Sequence, residues 1–329
     1  MMMEIERRGV IKILLGLAAG LNSLGSWSQG WPDRSIKLVL GYTTGGASDA
    51  TARIITRPLE QIIKQTVIID YKPGAGASIG AEFVAKSNPD GYTLGLVDTG
   101  PLCIAPNLRK VGYDPLTDFT PLSYVCTTGL VLIVNPELDV KNVQELIALA
   151  KAKPGQLSYA SSGVGSVHHL AGELFKFKAG ISILHVPYKG AGPALTDLIG
   201  GQVPLMFATI GPALQMIAAG KARALGVTSL TRSASLPNVP TIAEQGLKGY
   251  EAVLRFMVMG PAKLAPTVTS KLQADFKTMI GDQSVVGELK KLGNDEIMYK
   301  TPTEILALIQ DDYRKWGSLI REAKITLDT

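Results

Sequence analysis

Cysteine and histidine are scarce in this chain: two and three among 329 residues. Cys103 and Cys126 form no C-x-x-C pair. His168 and His169 are neighbours, so on a helix they point ~100° apart and cannot share an ion as i,i+4 ligands do. A zinc set and a dithiol redox centre are thereby excluded, and neither metal nor cofactor is expected. The two thiols pair in an oxidising compartment or stay free as buried groups on separate strands; the sequence leaves both open. Aromatic residues make up only 6%, too few for a base-stacking platform. No basic run exceeds two residues, which excludes a phosphate-tracking stripe and a nucleic-acid partner. Beyond the N-terminal region no segment approaches the ~18 apolar residues of a membrane span. Neither sign of charge dominates: 33 basic and 28 acidic side chains leave +5, a balance that fits an anionic small ligand. With 46% apolar residues the chain is globular, and at ~150 residues per domain its length suggests two.

What is present begins with a leader. Arg7 and Arg8 precede an apolar stretch from Val10 to Leu24, and small residues follow at Ser26 and Ser28. This is the pattern of a signal peptide over 1–28, cleaved near Ser28, which places the mature protein in the periplasm. The arginine pair suits a Sec or a twin-arginine leader, and the sequence does not choose. No cysteine lies just after the apolar stretch, the first being Cys103, so a lipid anchor is not expected.

Strand and helix patterns then alternate, which predicts an α/β protein with a parallel sheet in two lobes. Ile36–Leu40 reads as a strand, Gly41 to Asp49 as its exit loop, and Ala50 to Ile63 as a helix with Ala52, Ile55, Leu59, Ile62 and Ile63 on one face. Leu130–Val134 is a continuous apolar run, the mark of a strand buried on both faces. Leu157–Ala160 empties through Ser161 to Ser166 into a helix over Val167–Phe177. Thr301-Pro302-Thr303-Glu304 is a capping box opening a last helix, with Ile305, Leu308, Ile309, Tyr313, Trp316 and Ile320 on one stripe.

The two Gly/Ser loops carry the chemistry. A strand that leads through glycine and serine to a helix start offers free backbone N–H groups and the positive end of the helix dipole. Such a place suits a carboxylate or phosphate, and two of them from two lobes can grip one anion. Read singly, Ser48-Asp49 and Ser166 only cap their helices. Gly76-Ala77-Ser78-Ile79-Gly80 spells the nucleophile-elbow pattern, which would make Ser78 the nucleophile of an exported serine hydrolase. Tyr71 to Ala75 separates it from the preceding strand, however, too far for a tight elbow. Arg255 interrupts an apolar segment and needs a partner, either a protein carboxylate or a ligand carboxylate. His168 reads first as a structural histidine, with a polar helix-start histidine near a ligand as the other reading.

An ordered series of short motifs runs nearly the length of the chain: Trp31-Pro32-Asp33-Arg34, Gly45-Gly46-Ala47-Ser48-Asp49, Lys72-Pro73-Gly74-Ala75-Gly76, Pro89-Asp90-Gly91-Tyr92, Tyr113-Asp114-Pro115, Ser161-Ser162-Gly163-Val164-Gly165-Ser166, His185-Val186-Pro187-Tyr188 and Leu236-Pro237-Asn238-Val239-Pro240. In this series the chain resembles the Bug family, the extracytoplasmic solute receptors of tripartite tricarboxylate transporters. The resemblance implies a periplasmic-binding-protein (Venus flytrap) fold with parallel and mixed sheets and crossing hinge strands. By analogy lobe one is 30–128 plus 253–329 and lobe two is 129–252. It implies no catalysis and no cofactor, a monomer, and partners in a small carboxylate and the membrane permease subunits. A sensor of the same fold docking on a signalling partner is the alternative. By position, the family's ligand contacts fall on Tyr42, Gly45, Gly46, Ser48, Asp49, Asp98, Thr99, Ser162, Gly163, Gly165, Ser166 and His169. Three departures bear on the ligand. Tyr42-Thr43-Thr44 adds hydroxyls at the cleft mouth, Phe207-Ala208-Thr209 lacks a carboxylate the family often has, and Arg255 replaces a frequent aromatic. Together they favour a dicarboxylate, aliphatic or aromatic such as terephthalate, with Thr209 beside it and one end near Arg255.

Overall fold

A short apolar run starts the sheet. Ile36–Leu40 forms β1, with only Lys37 exposed. The computed structural model describes residues 30–326, so the expected leader and its cleavage site lie outside the described residues. Helix α1 covers Ala47–Ile63 and buries Ala52, Ile55, Leu59 and Ile63. It starts three residues earlier than the apolar spacing predicts, because Gly46 in an extended conformation serves as its N-cap. Ser48 and Asp49 therefore sit in the first helical turn and not in a loop. Val67–Tyr71 is β2, Ser78–Ala85 is α2 and Thr93–Asp98 is β3. β1 lies parallel between β2 and β3. A π-helical turn at Gly100–Ile104 carries Cys103 into α3, Ala105–Leu108.

Phe119–Val134 is β4, the sixteen-residue strand on which the architecture turns. Its apolar end, Leu130–Val134, is fully buried, as a strand covered on both faces must be. The second half follows in order: α4 (Val143–Ala152), β5 (Ser158–Ser161), α5 (Val167–Ala179), β6 (Leu184–Pro187), α6 (Ala191–Ile199), β7 (Leu205–Thr209), α7 (Ile210–Ala218) and β8 (Arg223–Val227). β5 runs parallel to β6 and β7, while β7 and β8 flank Leu130–Val134 antiparallel. The chain then returns through β9 (Val253–Pro261), which inserts antiparallel between β3 and the other part of β4. α8 (Pro266–Gly281), α9 (Gln283–Lys291), β10 (Asn294–Asp295) and α10 (Pro302–Glu322) complete it. The strand order is β2-β1-β3-β9-β4-β7-β5-β6, a mixed sheet in two lobes joined through β4. Cys103 and Cys126 are both buried and unbonded, and only Cys126 is on a strand. Among the described residues no helix is long and apolar enough to cross a membrane.

The last helix explains Arg255. The capping box at Thr301 and Glu304 is formed, and Ile305, Ile309, Trp316 and Ile320 are buried. Asp312 shares that apolar stripe and is buried too. Its Oδ2 lies 2.5 Å from Arg255 Nη1, with side-chain exposures of 8% and 18%. Of the two partners open to Arg255, the protein carboxylate is the one found.

A buried pair destabilises strongly when one member is lost, because the other charge stays behind unpaired. Asp312→Ala should lower the unfolding free energy by about 3 kcal/mol. The double substitution Arg255→Met, Asp312→Leu should recover most of that loss, and urea unfolding of the three proteins is the measurement.

Candidate functional site

Each parallel strand delivers the chain, at its C-terminal end, to a helix start. Four of those starts meet. α1 begins at Gly46 beyond β1, α5 at Ser166 beyond β5, α6 at Gly190 beyond β6, and α7 directly after Thr209 at the end of β7. Gly46, Ala47 and Ser48 at the first, Ser162 and His168 around the second, Ala191 at the third and Thr209 at the fourth line one cavity. Tyr42, Asp98, Leu254 and Phe256 complete its wall. The sequence shows the first two helix starts; the other two escape because Pro187 to Gly190 and Thr209-Ile210 lack a Gly/Ser-rich loop signature. Gly46, Gly190 and Thr209 make no side-chain capping bond, so these three first turns keep free N–H groups, fewer in α6 and α7, where Pro193 and Pro212 carry none. Only α5 is capped, by Ser166 Oγ accepting from His169 N.

Three side-chain atoms on the cavity wall lack a partner: Ser48 Oγ, Thr209 Oγ1 and His168 Nε2. A buried polar atom left unsatisfied costs about 1–3 kcal/mol, so three facing one space mark a place made for a polar guest. That space is about 20 Å³ measured by where a water's centre can go, room for about one water. A larger guest requires the walls to part.

Of the two readings open to His168, structural group or helix-start histidine near a ligand, the structure favours the second, placing it in the cavity wall. Nδ1 lies 2.8 Å from Ser162 Oγ, so a serine hydroxyl donating there leaves the proton on Nε2, aimed at the cavity. Burial pushes its pKa down to about 4, which keeps the ring neutral. It is no cation, and with that tautomer it offers a neutral hydrogen-bond donor. Asp98 is opposite in character. Burial lifts its pKa to about 7, against hydrogen bonds from Gly100 N and the Tyr42 hydroxyl. Burial also raises Tyr42, which stays a phenol.

Six of the expected residues line the cavity: Tyr42, Gly46, Ser48, Asp98, Ser162 and Thr209. The others do something else. Arg255 is turned away, because Leu254 and Phe256 on either side face the cavity and strand side chains alternate. It pairs with Asp312, with Nε left unpartnered, so the placement of a ligand carboxylate at Arg255 is corrected. Thr99, just past the end of β3, is not in the cavity lining and accepts at Oγ1 from Arg255 N. Asp49 is occupied on both oxygens, by Arg53 and Tyr71 at Oδ1 and by Gly45 N at Oδ2. It fixes the loop and does not reach the cavity. His169 accepts at Nδ1 from Gly165 N and stacks on His185 at 4.2 Å, so its neighbour His168 is the histidine at the site. Ser166 is a helix cap. Ser78 Oγ is 3.2 Å from Arg109 Nη2, and among the described residues no histidine or carboxylate is hydrogen-bonded to it. A serine nucleophile needs such a base.

Gly45, Gly163 and Gly165 belong to the seams where the two halves meet. A Cβ on Gly192 would come 2.5 Å from Thr44 O, and one on Gly190 would strike Thr43 Oγ1. On the other flank a Cβ on Gly76 would strike Val164 O, and Gly163 (φ +126°) packs against Gly76. At Gly192 against Thr44 and at Gly76 against Val164 the flanks thus close backbone against backbone. Gly192→Ala lies in a helical turn where alanine is favourable, so its stability should be unchanged or slightly higher. Its Cβ holds the halves apart, and ligand affinity should fall at least about tenfold, or 1.4 kcal/mol. Calorimetric titration beside thermal melting separates the two effects.

The family described as "Tripartite tricarboxylate transporter family receptor" matches residues 51–325. Protein BugT of Bordetella pertussis is 34% identical over 316 residues, 95% of each chain. A Rhodopseudomonas palustris protein solved with adipate aligns with a TM-score of 0.86 and 34% identity, over 90% of this chain and 99% of that one. A second protein of that organism, MatC with bound malate, gives 0.84 and 27%, over 88% and 100%. The chain therefore belongs to the tripartite tricarboxylate transporter receptor family, together with the Bug proteins, and is a solute-binding protein of the periplasmic type.

Proposed function

We propose that this protein captures an organic dicarboxylate in the cleft between its lobes and delivers it to membrane permease subunits. The observation that carries the reading is the convergence of four helix N-termini and three unpartnered polar atoms on one cavity. Such a site stabilises negative charge by N–H groups and dipoles, with hydroxyl and imidazole donors completing the shell. Ser48 and Tyr42 serve one end of the ligand; Thr209, Ser162 and His168 serve the other. Leu254 and Phe256 give its carbon body an apolar wall. Related proteins solved with adipate and with malate support a dicarboxylate whose middle varies. Lobe one is assigned 30–128 plus 253–329 and lobe two 129–252, with the hinge where β4 and β9 pass between them. Closing is then a population shift toward the state in which both sets of donors are engaged.

Magnitudes suffice without a cationic partner. Hydrogen bonds to a charged group contribute roughly 1.5–3 kcal/mol each. Four or five, less the cost of immobilisation, reach about −8 kcal/mol, or micromolar binding.

The mature protein should melt several degrees higher with one of succinate, malate, adipate or terephthalate than with its monoacid analogue, since a ligand of the native state alone raises the melting temperature. Ser48→Ala and Thr209→Val should each weaken the best diacid about tenfold in calorimetric titration. A flat response to all four acids with refolded, ligand-stripped protein defeats the carboxylate reading. Unimpaired diacid uptake in a deletion strain defeats the delivery role.

A further inference from the structure

A carboxyl group at the heart of an anion cleft requires an account. Asp98 is 2% exposed and lies across from Phe256 in the β3/β9 pair, so both face the cavity. Gly100 N donates at 2.7 Å and the Tyr42 hydroxyl at 3.4 Å, both to Oδ1. Oδ2 accepts no hydrogen bond among the described residues.

Among the described residues no cation faces this group. From the loop after β1 comes Tyr42, a phenol, and from α1 comes Ser48. The π-helical turn after β3 presents the buried thiol of Cys103. Beyond α3, Tyr113 donates its hydroxyl to Pro101 O, and Arg109 bonds Ala75 O and Ser78 Oγ. From α5 comes the neutral ring of His168. From β9 come Leu254 and Phe256, while Arg255 points the other way to Asp312 on α10. An ionised Asp98 would meet an incoming carboxylate with no positive group between them. Like charges at such range disfavour each other's ionisation, and one of the pair holds a proton.

We propose that Asp98 enters the complex as a carboxylic acid and donates its proton in an O–H···O⁻ hydrogen bond to the ligand carboxylate. The inference deepens the dicarboxylate reading and rests on it. The proton comes from solvent, so one is taken up per ligand bound wherever free Asp98 is ionised; no covalent bond forms or breaks. Burial places the titration of the free group at about 7, within reach of ordinary buffers. The same bond makes Asp98 a specificity determinant. A carboxylate is a basic acceptor and makes a short charge-assisted bond, whereas a sulfonate of equal charge is a far weaker base.

The test is calorimetric titration of the mature protein with the tightest binder among succinate, malate, adipate and terephthalate, at pH 6 to 9, in pairs of buffers differing in ionisation enthalpy. Proton uptake should be near zero at pH 6 and approach one at pH 8.5, and the apparent Kd should rise about thirtyfold across that interval. Asp98→Asn, whose amide is a donor at every pH, should show a flat profile and no proton uptake, whatever its absolute affinity. His168→Gln should keep the uptake. Binding without proton uptake in the wild type overturns the proposal while leaving the dicarboxylate reading intact. So does uptake that persists in Asp98→Asn or vanishes in His168→Gln. Affinity that rises with pH also overturns it, since that is the mark of an ionised Asp98 receiving a cationic group. Failure of all four acids to bind at any pH brings down the dicarboxylate reading and this proposal together.

Discussion

On the proposed function an anion must leave water here with no cation among the described residues to receive it, and the fold suits that demand. Removing a carboxylate from water costs far more than one hydrogen bond returns. The return has to come from many small, fixed dipoles aimed at one point, and helix starts are the densest supply of them. Parallel strands send all their helices from one end of the sheet, so a parallel core in each lobe gathers these starts along the cleft. The basic side chains near the cleft are engaged elsewhere: Arg255 with Asp312, Arg53 with Asp49, and Arg109 with the Ala75 carbonyl and Ser78. A cation in the cleft would hold its guest through closing and opening alike. Donors divided between lobes hold it only when the lobes meet.

That division gives the glycines their purpose. At Thr44 against Gly192, and at Gly76 against Val164, the halves approach as bare backbone. The seams contribute little attraction of their own, so the closed state depends on what lies between them. A receptor that must later release its cargo benefits from such an indifferent latch.

Much of the scaffold was legible because it obeys periodicity. The buried run Leu130–Val134, the capping box at Thr301 and the stripe of α10 follow from side-chain order alone. The site was legible in part. Ser48 and Ser162 could be found because glycine and serine before a helix signal open N–H groups, whereas Thr209 came only from the family resemblance at Phe207-Ala208-Thr209. Asp49 and His169 looked equally suitable, but which of two neighbours faces a cleft depends on helix phase. The earlier start of α1 turns Ser48 to the cavity and Asp49 to Arg53 and Tyr71, and the phase of α5 turns His168 in and His169 toward His185. Arg255 illustrates the remaining gap. Its partner lies fifty-seven residues away on the apolar stripe of α10, where an acidic residue was the one available sign.

The position of β9 governs the order in which the molecule is built. β3 pairs with β1 on one side, but its other edge waits for residues 256–259, which come after the whole second half of the chain. The strands from β5 to β8 find their partners nearer in sequence, against the end of β4. Contacts between distant segments form late, because the loop must be closed before they reward it. The second half can condense while the first still has an open sheet edge. The first half is then sealed last, by a strand that arrives only after its counterpart has taken shape.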